Sequence, residues 1–412
     1  MTVRISTLDQ PALKLFLDAS SRVIRDCLVE AANGIGLLAT PPTGKYPFIY
    51  TRQQAIGAVI LAELGDFETA RGMCHFLLQT QSRAGSWVPR YDLTGNEAHE
   101  SMEPDSTALA IWAILSVVRL ADDDTLGEAA REQIEEAVRW TLDRTLNPYI
   151  YLVESQPADG DANPGFDLWN NCAHAAAFAQ CHRLYGGDRN RRVALLIRRA
   201  IGQLLTAEHR FLRGLDAVGM PDPRADMSLL APYYFGLWAP TERTVINSVD
   251  MIEKSLWNVE IGGFARNLPF SSSQRRRPPG PMPHVSAWMA RYHYDMGNSD
   301  RAEGIVRWLI ESTTEGSLAE IRVPRASAVR YIEECRRAHL GNEPEAAGSL
   351  RGRRANLALL RERQLADLDF IDAEVERRDI VDSGRPFVWA HIETLHALKR
   401  GGYLDRWIAS RN

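Results

Sequence analysis

Cysteine is scarce in this sequence: Cys27, Cys74, Cys172, Cys181 and Cys335 are the five among 412 residues. They are odd in number, widely scattered and without a C-x-x-C pair, which argues against a disulfide framework and a structural zinc site. An excess of basic charge is missing too. With 48 basic and 53 acidic side chains the formal net charge is −5, so there is no electrostatic footprint for nucleic acid and no polybasic membrane patch. No window approaches 18 uncharged apolar residues, and the start at Met1–Gln10 has no basic stretch followed by a long apolar run. A cytoplasmic protein, free of the membrane, is the expectation. His174 and His182 lie eight apart and His391 and His396 five apart, so H-x-x-x-H and H-E-x-x-H metal spacings are lacking and no metal is expected. There is no G-x-G-x-x-G after a strand, no P-loop and no G-x-S-x-G, which leaves nucleotide cofactors and serine hydrolysis without a seed.

What the chain does have is a globular composition, with 45% hydrophobic and 25% charged residues, and apolar residues recurring at helical spacing almost throughout. Strand-like alternation is confined to short runs such as Tyr149–Val153. One unit recurs: an apolar helix, a short Gly/Asp/Asn turn, a charged amphipathic helix, then a long loop. Turns fall at Gly65-Asp66, Asp122–Asp124, Gly186–Asp188, Pro240–Glu242 and Gly297–Asp300. Ala108–Val118 is apolar all round and reads as an inner helix; Glu128–Val138 carries a single apolar stripe and reads as an outer one. Five such pairs, with further helices around Leu13–Ala31 and Phe387–Lys399, predict an all-α (α/α)6 toroid formed as one domain over residues 1–412.

Two segments break the rhythm. Ser271–Pro283 is rich in proline and carries Arg275–Arg277, and reads as a solvated loop. A charged helical insertion is expected at about 340–380, with a long helix over Arg354–Arg378. Its pattern suits packing against the outer ring or a second copy, so a homodimer is compatible with it.

The loops ahead of the inner helices hold the informative residues: Tyr46-Pro-Phe-Ile-Tyr-Thr-Arg-Gln53, Met102–Leu109, Phe166-Asp-Leu-Trp-Asn-Asn171, Asp226–Leu230, Gly262-Gly-Phe-Ala-Arg266, Gly316-Ser-Leu-Ala-Glu320 and Pro386-Phe-Val-Trp-Ala-His391. In this order, spread from residue 46 to 396, they resemble the catalytic domain of glycoside hydrolase family 15, the glucoamylase, glucodextranase and isomaltose glucohydrolase family. The resemblance implies an (α/α)6 barrel with a pocket at one end that releases α-D-glucose units with inversion and needs no cofactor. A general acid then protonates the glycosidic oxygen while a general base activates water, and an inverting site keeps the two carboxyls roughly 6.5–9.5 Å apart. Glu320 falls at the position of the family's base; Glu374 is a competing candidate. Tyr46, Tyr50, Arg52, Trp169, Arg266 and Trp389 match positions that line the sugar pocket.

Two departures stand out against that pattern. The family's Asp-Leu-Trp-Glu-Glu is Asp167-Leu168-Trp169-Asn170-Asn171 here, so the acid position, Asn170, holds an amide that cannot deliver a proton. The family's Arg-Asp pair is Arg52-Gln53. Asp167, Glu103 and Asp105 are the neighbouring carboxyls, with Asp105 and Asp226 expected to cap the helices that follow them. The reading is a base-assisted enzyme on an α-linked glucoside or related glycosyl compound, with Asn170, Asn171 and Gln53 bonding the substrate. Its partner would be a small saccharide or glycosylated small molecule. The alternatives are a catalytically inactive carbohydrate-binding or regulatory protein, and a scaffold turned to non-hydrolytic chemistry on a specialised metabolite.

Overall fold

Helix boundaries follow the capping chemistry of the sequence. In the computed structural model, which describes residues 8–32, 34–98, 103–155, 164–268, 278–341 and 351–404, the side chains of Asp66, Asp123 and Asp167 each accept a backbone N–H three residues on. These carboxylates satisfy amide groups that a helix start leaves unpaired. Prolines occupy the first turn of the helices at Gln10, Pro104 and Pro283, where their missing N–H costs nothing.

The helices are α1 (Gln10–Cys27), α2 (Thr51–Glu63), α3 (Phe67–Gln79), α4 (Pro104–Ala121), α5 (Asp124–Arg144), α6 (Leu168–Tyr185), α7 (Asp188–Leu204), α8 (Ala231–Tyr234), α9 (Arg243–Leu256), α10 (Pro283–Asp295), α11 (Ser299–Glu311), α12 (Arg325–Gly341), α13 (Arg351–Val375) and α14 (Val388–Arg400). Helix α2 packs on α4, α4 on α6, α6 on α8, α10 on α14 and α14 on α2. The remaining seam, between α8 and α10, is closed by the Tyr234–Trp288 and Tyr233–Tyr292 ring pairs and by Arg291 donating to the Tyr234 carbonyl. Outside this ring lie α3, α5, α7, α9, α11 and α1, so the fold is an (α/α)6 toroid.

Inner and outer helices differ as their sequences require. Helix α4 is buried nearly all round, whereas α7 buries only Val193, Ile197, Ala200 and Ile201, one stripe at helical spacing. Fully burying a Leu, Ile or Val is worth about 1.5–3 kcal/mol, so the shared core of the two rings dominates stability. Helix α4 reaches the length and hydropathy of a membrane span while carrying Asp105 and Arg119, and 78% of it is buried inside the protein. It is the innermost layer of a helical ring.

Other expectations change. Tyr149–Val153 forms a turn with one isolated bridge, Leu146 to Val153, and not a strand. The fourth inner element is short, a 3-10 turn over Met227–Leu230 leading into α8. The charged insertion is a hairpin that begins earlier than expected, with α12 packed on α13. Its second helix stops at Val375 because Ile380–Ser383 pairs as a strand with Ile321–Pro324. Arg275–Arg277 lie outside the described residues. The five cysteines are free thiols, and burial pushes Cys27 and Cys181 up to about 12.

Candidate active site

The starts of the inner helices bring the aromatic residues together. Trp169, second residue of α6, stacks on Trp288 of α10 at 5.3 Å between ring centroids and 10° between planes. Trp288 touches Trp389 at 5.9 Å, and Trp389 stacks on His284 at 4.7 Å. His284 meets Phe387 at 5.6 Å, Phe387 meets Tyr46 at 6.5 Å, and Tyr46 meets Tyr50 at 6.2 Å. The result is a continuous aromatic belt around one end of the ring. Trp169, Trp389, Tyr46 and Tyr50 are brought together from three sequence segments. Trp288, His284 and Phe387 were missed, although His284 and Trp288 lie four apart at the start of an apolar helix and Phe387 directly precedes Val388 and Trp389.

Polar groups stand at both ends of the belt. Beside Trp169, Arg52 donates from Nε and Nη2 to Asp105 Oδ2 at 3.0 and 2.8 Å, and from Nη2 to Glu103 at 3.3 Å. Trp169 Nε1 donates to the same Asp105 oxygen at 3.2 Å. Asp105 therefore does not cap α4 as expected; the guanidinium draws it across. It returns to Arg52 a carboxylate that Gln53 no longer offers. Gln53 Oε1 is buried without a hydrogen-bond partner among the described residues. Asp226 does cap, accepting from Ser228 N at 2.7 Å. The Arg266 carbonyl accepts from Met227 N at 2.7 Å, which ties that residue to the same short turn.

Asn170 and Asn171 behave differently from each other. Asn170 donates Nδ2 to the carbonyls of Val153 and Glu154, both at 3.3 Å, and its Oδ1 is buried without a partner among the described residues. Asn171 Oδ1 accepts from Val153 N at 2.7 Å while its Nδ2 donates to the Val153 and Asp167 carbonyls. All of its amide is spent on backbone, an arrangement that suits a framework role. Burial lifts the Asp167 carboxyl above the usual carboxylate range, and the nearby Asp105 adds to this, against its hydrogen bond from Asn170 N.

At the other end stands Glu320, 4% exposed. Its N–H donates to the carbonyls of Ser383 and Gly384, both at 3.1 Å, at the end of the short strand pair. Lys45 Nζ lies 3.4 Å from Glu320 Oε2 and 3.1 Å from Asp367 Oδ2, and donates to Ser383 Oγ at 2.7 Å. Burial pulls the Lys45 ammonium down, but Asp367, Tyr46 and Glu320 outweigh it and hold the pKa well above the usual lysine value. The same ammonium sits 5.2 Å from the Tyr46 ring centroid, so Glu320 connects to the belt through Lys45. Glu374 is elsewhere, on α13, paired with Arg378 and Arg377. Among the described residues no three His, Cys, Asp or Glu side chains cluster to hold a metal.

Solved structures share this architecture. A wild-type glycosidase aligns over 96% of this chain and 99% of its own at 16% identity and a TM-score of 0.66. The chain shares the fold of that glycosidase. A glycosidase variant in complex with glucose aligns over 96% of this chain and 99% of its own, at 15% identity and a TM-score of 0.65. A bacterial glucoamylase complexed with acarbose aligns over 94% of this chain and 55% of its own, at 12% identity and a TM-score of 0.64. A metal-independent α-mannosidase from Streptococcus pneumoniae, in a non-productive complex with α-1,6-mannobiose, covers 96% and 95% at 10% identity and 0.66. No family model and no curated protein sequence matches the chain.

Proposed function

We propose that the protein is a glycoside hydrolase that receives an α-linked glycoside or related glycosyl compound in the aromatic cup. Glu320 activates water as general base for an inverting displacement, and Asn170 stands where the general acid would be. One observation carries the reading: a single aromatic belt runs from Trp169, the chain neighbour of Asn170, to Tyr46, whose ring lies beside the Lys45 that pairs with Glu320. Aromatic faces suit the C–H faces of a sugar, and Trp169, Trp389, Tyr46 and Tyr50 supply them. Arg52, Gln53 and Arg266 meet hydroxyls. Charged partners make the stronger hydrogen bonds, so Gln53 grips a hydroxyl less firmly than a carboxylate there would.

Loss of a positioned acid costs about 10²–10⁴-fold, which favours substrates whose leaving group departs without a proton. Glu103 and Asp105 are held by Arg52 and are poorly placed as substitutes. Sugar release from isomaltose, maltose and an α-glucosyl fluoride tests this. Turnover of the fluoride, lost in Glu320→Gln, with disaccharides slower by about 10²–10⁴-fold is expected; equal rates on all three would overturn it. A second reading, saccharide binding without turnover, is favoured by the amide that stands at the acid position and donates its nitrogen to backbone. It predicts saccharide binding by calorimetry and no hydrolysis of even the fluoride.

A further inference from the structure

The residues around Glu320 carry more than the reaction above requires. Lys45 is 6% exposed, and three acceptors converge on its ammonium: Glu320, Asp367 and Ser383. Asp367 belongs to α13, inside the charged hairpin, yet it reaches back into the ring. Its Oδ2 accepts from Ser383 Oγ and its Oδ1 from Gly384 N, both at 2.8 Å. Gly384 has φ +64, and a Cβ there would lie 3.1 Å from Glu320 Cβ, 3.2 Å from Glu320 Oε2 and 3.4 Å from Lys45 Cδ. The backbone thus lies close against both side chains, an arrangement that favours glycine at this φ.

We propose that Lys45 is a positioning residue for Glu320, fixing its carboxylate beside the aromatic belt, and that Asp367 makes the α12–α13 hairpin a working part of the site. The inference rests on Glu320 being the base. Two carboxylates share one ammonium, so the trio of Lys45, Glu320 and Asp367 keeps one net negative charge, and Glu320 is oriented without being fully neutralised. The other titratable groups facing Lys45 are the hydroxyls of Tyr46 and Tyr331, and Tyr331 in turn contacts Cys335. Serine at 383 relays the contact, accepting from Lys45 and donating to Asp367. A surface hairpin thereby becomes a tether on the base.

The decisive measurement is the 13C chemical shift of the Glu320 carboxyl at neutral pH in protein carrying 13C-labelled glutamate, with the signal identified by its loss in Glu320→Gln. Lys45→Met is expected to displace this signal and to lower kcat on the glucosyl fluoride by about 10²-fold with KM nearly unchanged, Lys45→Arg to restore most of both, and Asp367→Asn to displace the signal with a smaller loss of kcat. An unchanged signal in Lys45→Met, or no recovery in Lys45→Arg, overturns the proposal. If Lys45→Met does not fold, the Arg and Asp367→Asn variants decide it by the same signal. If the wild-type protein turns over no glycoside, the hydrolase reading fails while the carboxyl signal still judges Lys45.

Discussion

Asn170 holds two carbonyl oxygens, those of Val153 and Glu154, at 3.3 Å with a single amide nitrogen. A glutamic acid in its place would face the same oxygens, and only its protonated form can donate to them, so the surroundings favour the proton-bearing state an acid catalyst needs. Asn170→Glu should therefore raise disaccharide turnover by up to about 10²–10⁴-fold while leaving the glucosyl fluoride rate nearly unchanged. Sugar release measured on both substrates checks it, and an Asn170→Glu variant no faster on maltose or isomaltose would mean the missing proton is not the limit. The amide at position 170 was legible in the sequence because the Asp-Leu-Trp motif frames it. Lys45 was not, because a lysine in a Gly-Lys-Tyr-Pro loop carries no local sign of the Asp367 and Glu320 that surround it, 322 and 275 residues on.

At the scale of elements, Asn171 shows how the loop before α6 is held. Its amide closes three backbone hydrogen bonds to Val153 and Asp167, and each buried group left unpaired costs about 1–3 kcal/mol. Asn171→Ala should lower unfolding free energy by about 3 kcal/mol or more, read by urea denaturation, with saccharide affinity of the folded fraction unchanged. Weakened binding at undiminished stability would return Asn171 to the substrate. Hairpins and their turns were readable because Gly65-Asp66, Gly186–Asp188 and the aspartate caps act within a few residues. The Ile321–Pro324 and Ile380–Ser383 pair was not, since its two strands are four residues each and meet across the whole α12–α13 hairpin. Helix α12 was hidden for a related reason: its buried Ile332 and Ala328 form a narrow stripe in a charge-rich segment.

At the scale of the molecule, the toroid closes where its ends meet, and His391 sits in that seam. It lies on α14, fully buried, with Nε2 accepting from Leu318 N at 2.9 Å, so Nδ1 carries the hydrogen that reaches Ser20 Oγ on α1 at 2.9 Å. The ring also stacks on Phe16 at 5.8 Å. One neutral imidazole thus joins the first helix, the last helix and the loop that leads to Glu320. Protonation would turn its acceptor into a donor facing an N–H. Burial pulls His391 down to about 3, and burial likewise pulls His174 down to about 4. Both values lie below the unfolded value of about 6.5, so the unfolded chain binds more protons than the folded one between these limits. Stability is fully present above about pH 6.5 and falls as the solution is acidified, by about 1.4 kcal/mol per pH unit for each such histidine. Between pH 7 and pH 5 the two together should remove about 4 kcal/mol. His391→Gln should remove about half of that slope, whatever it costs in absolute stability, because glutamine does not titrate. Denaturation curves at pH 7, 6 and 5 for the two proteins measure the difference, and parallel slopes would show that the seam is not held by a neutral imidazole.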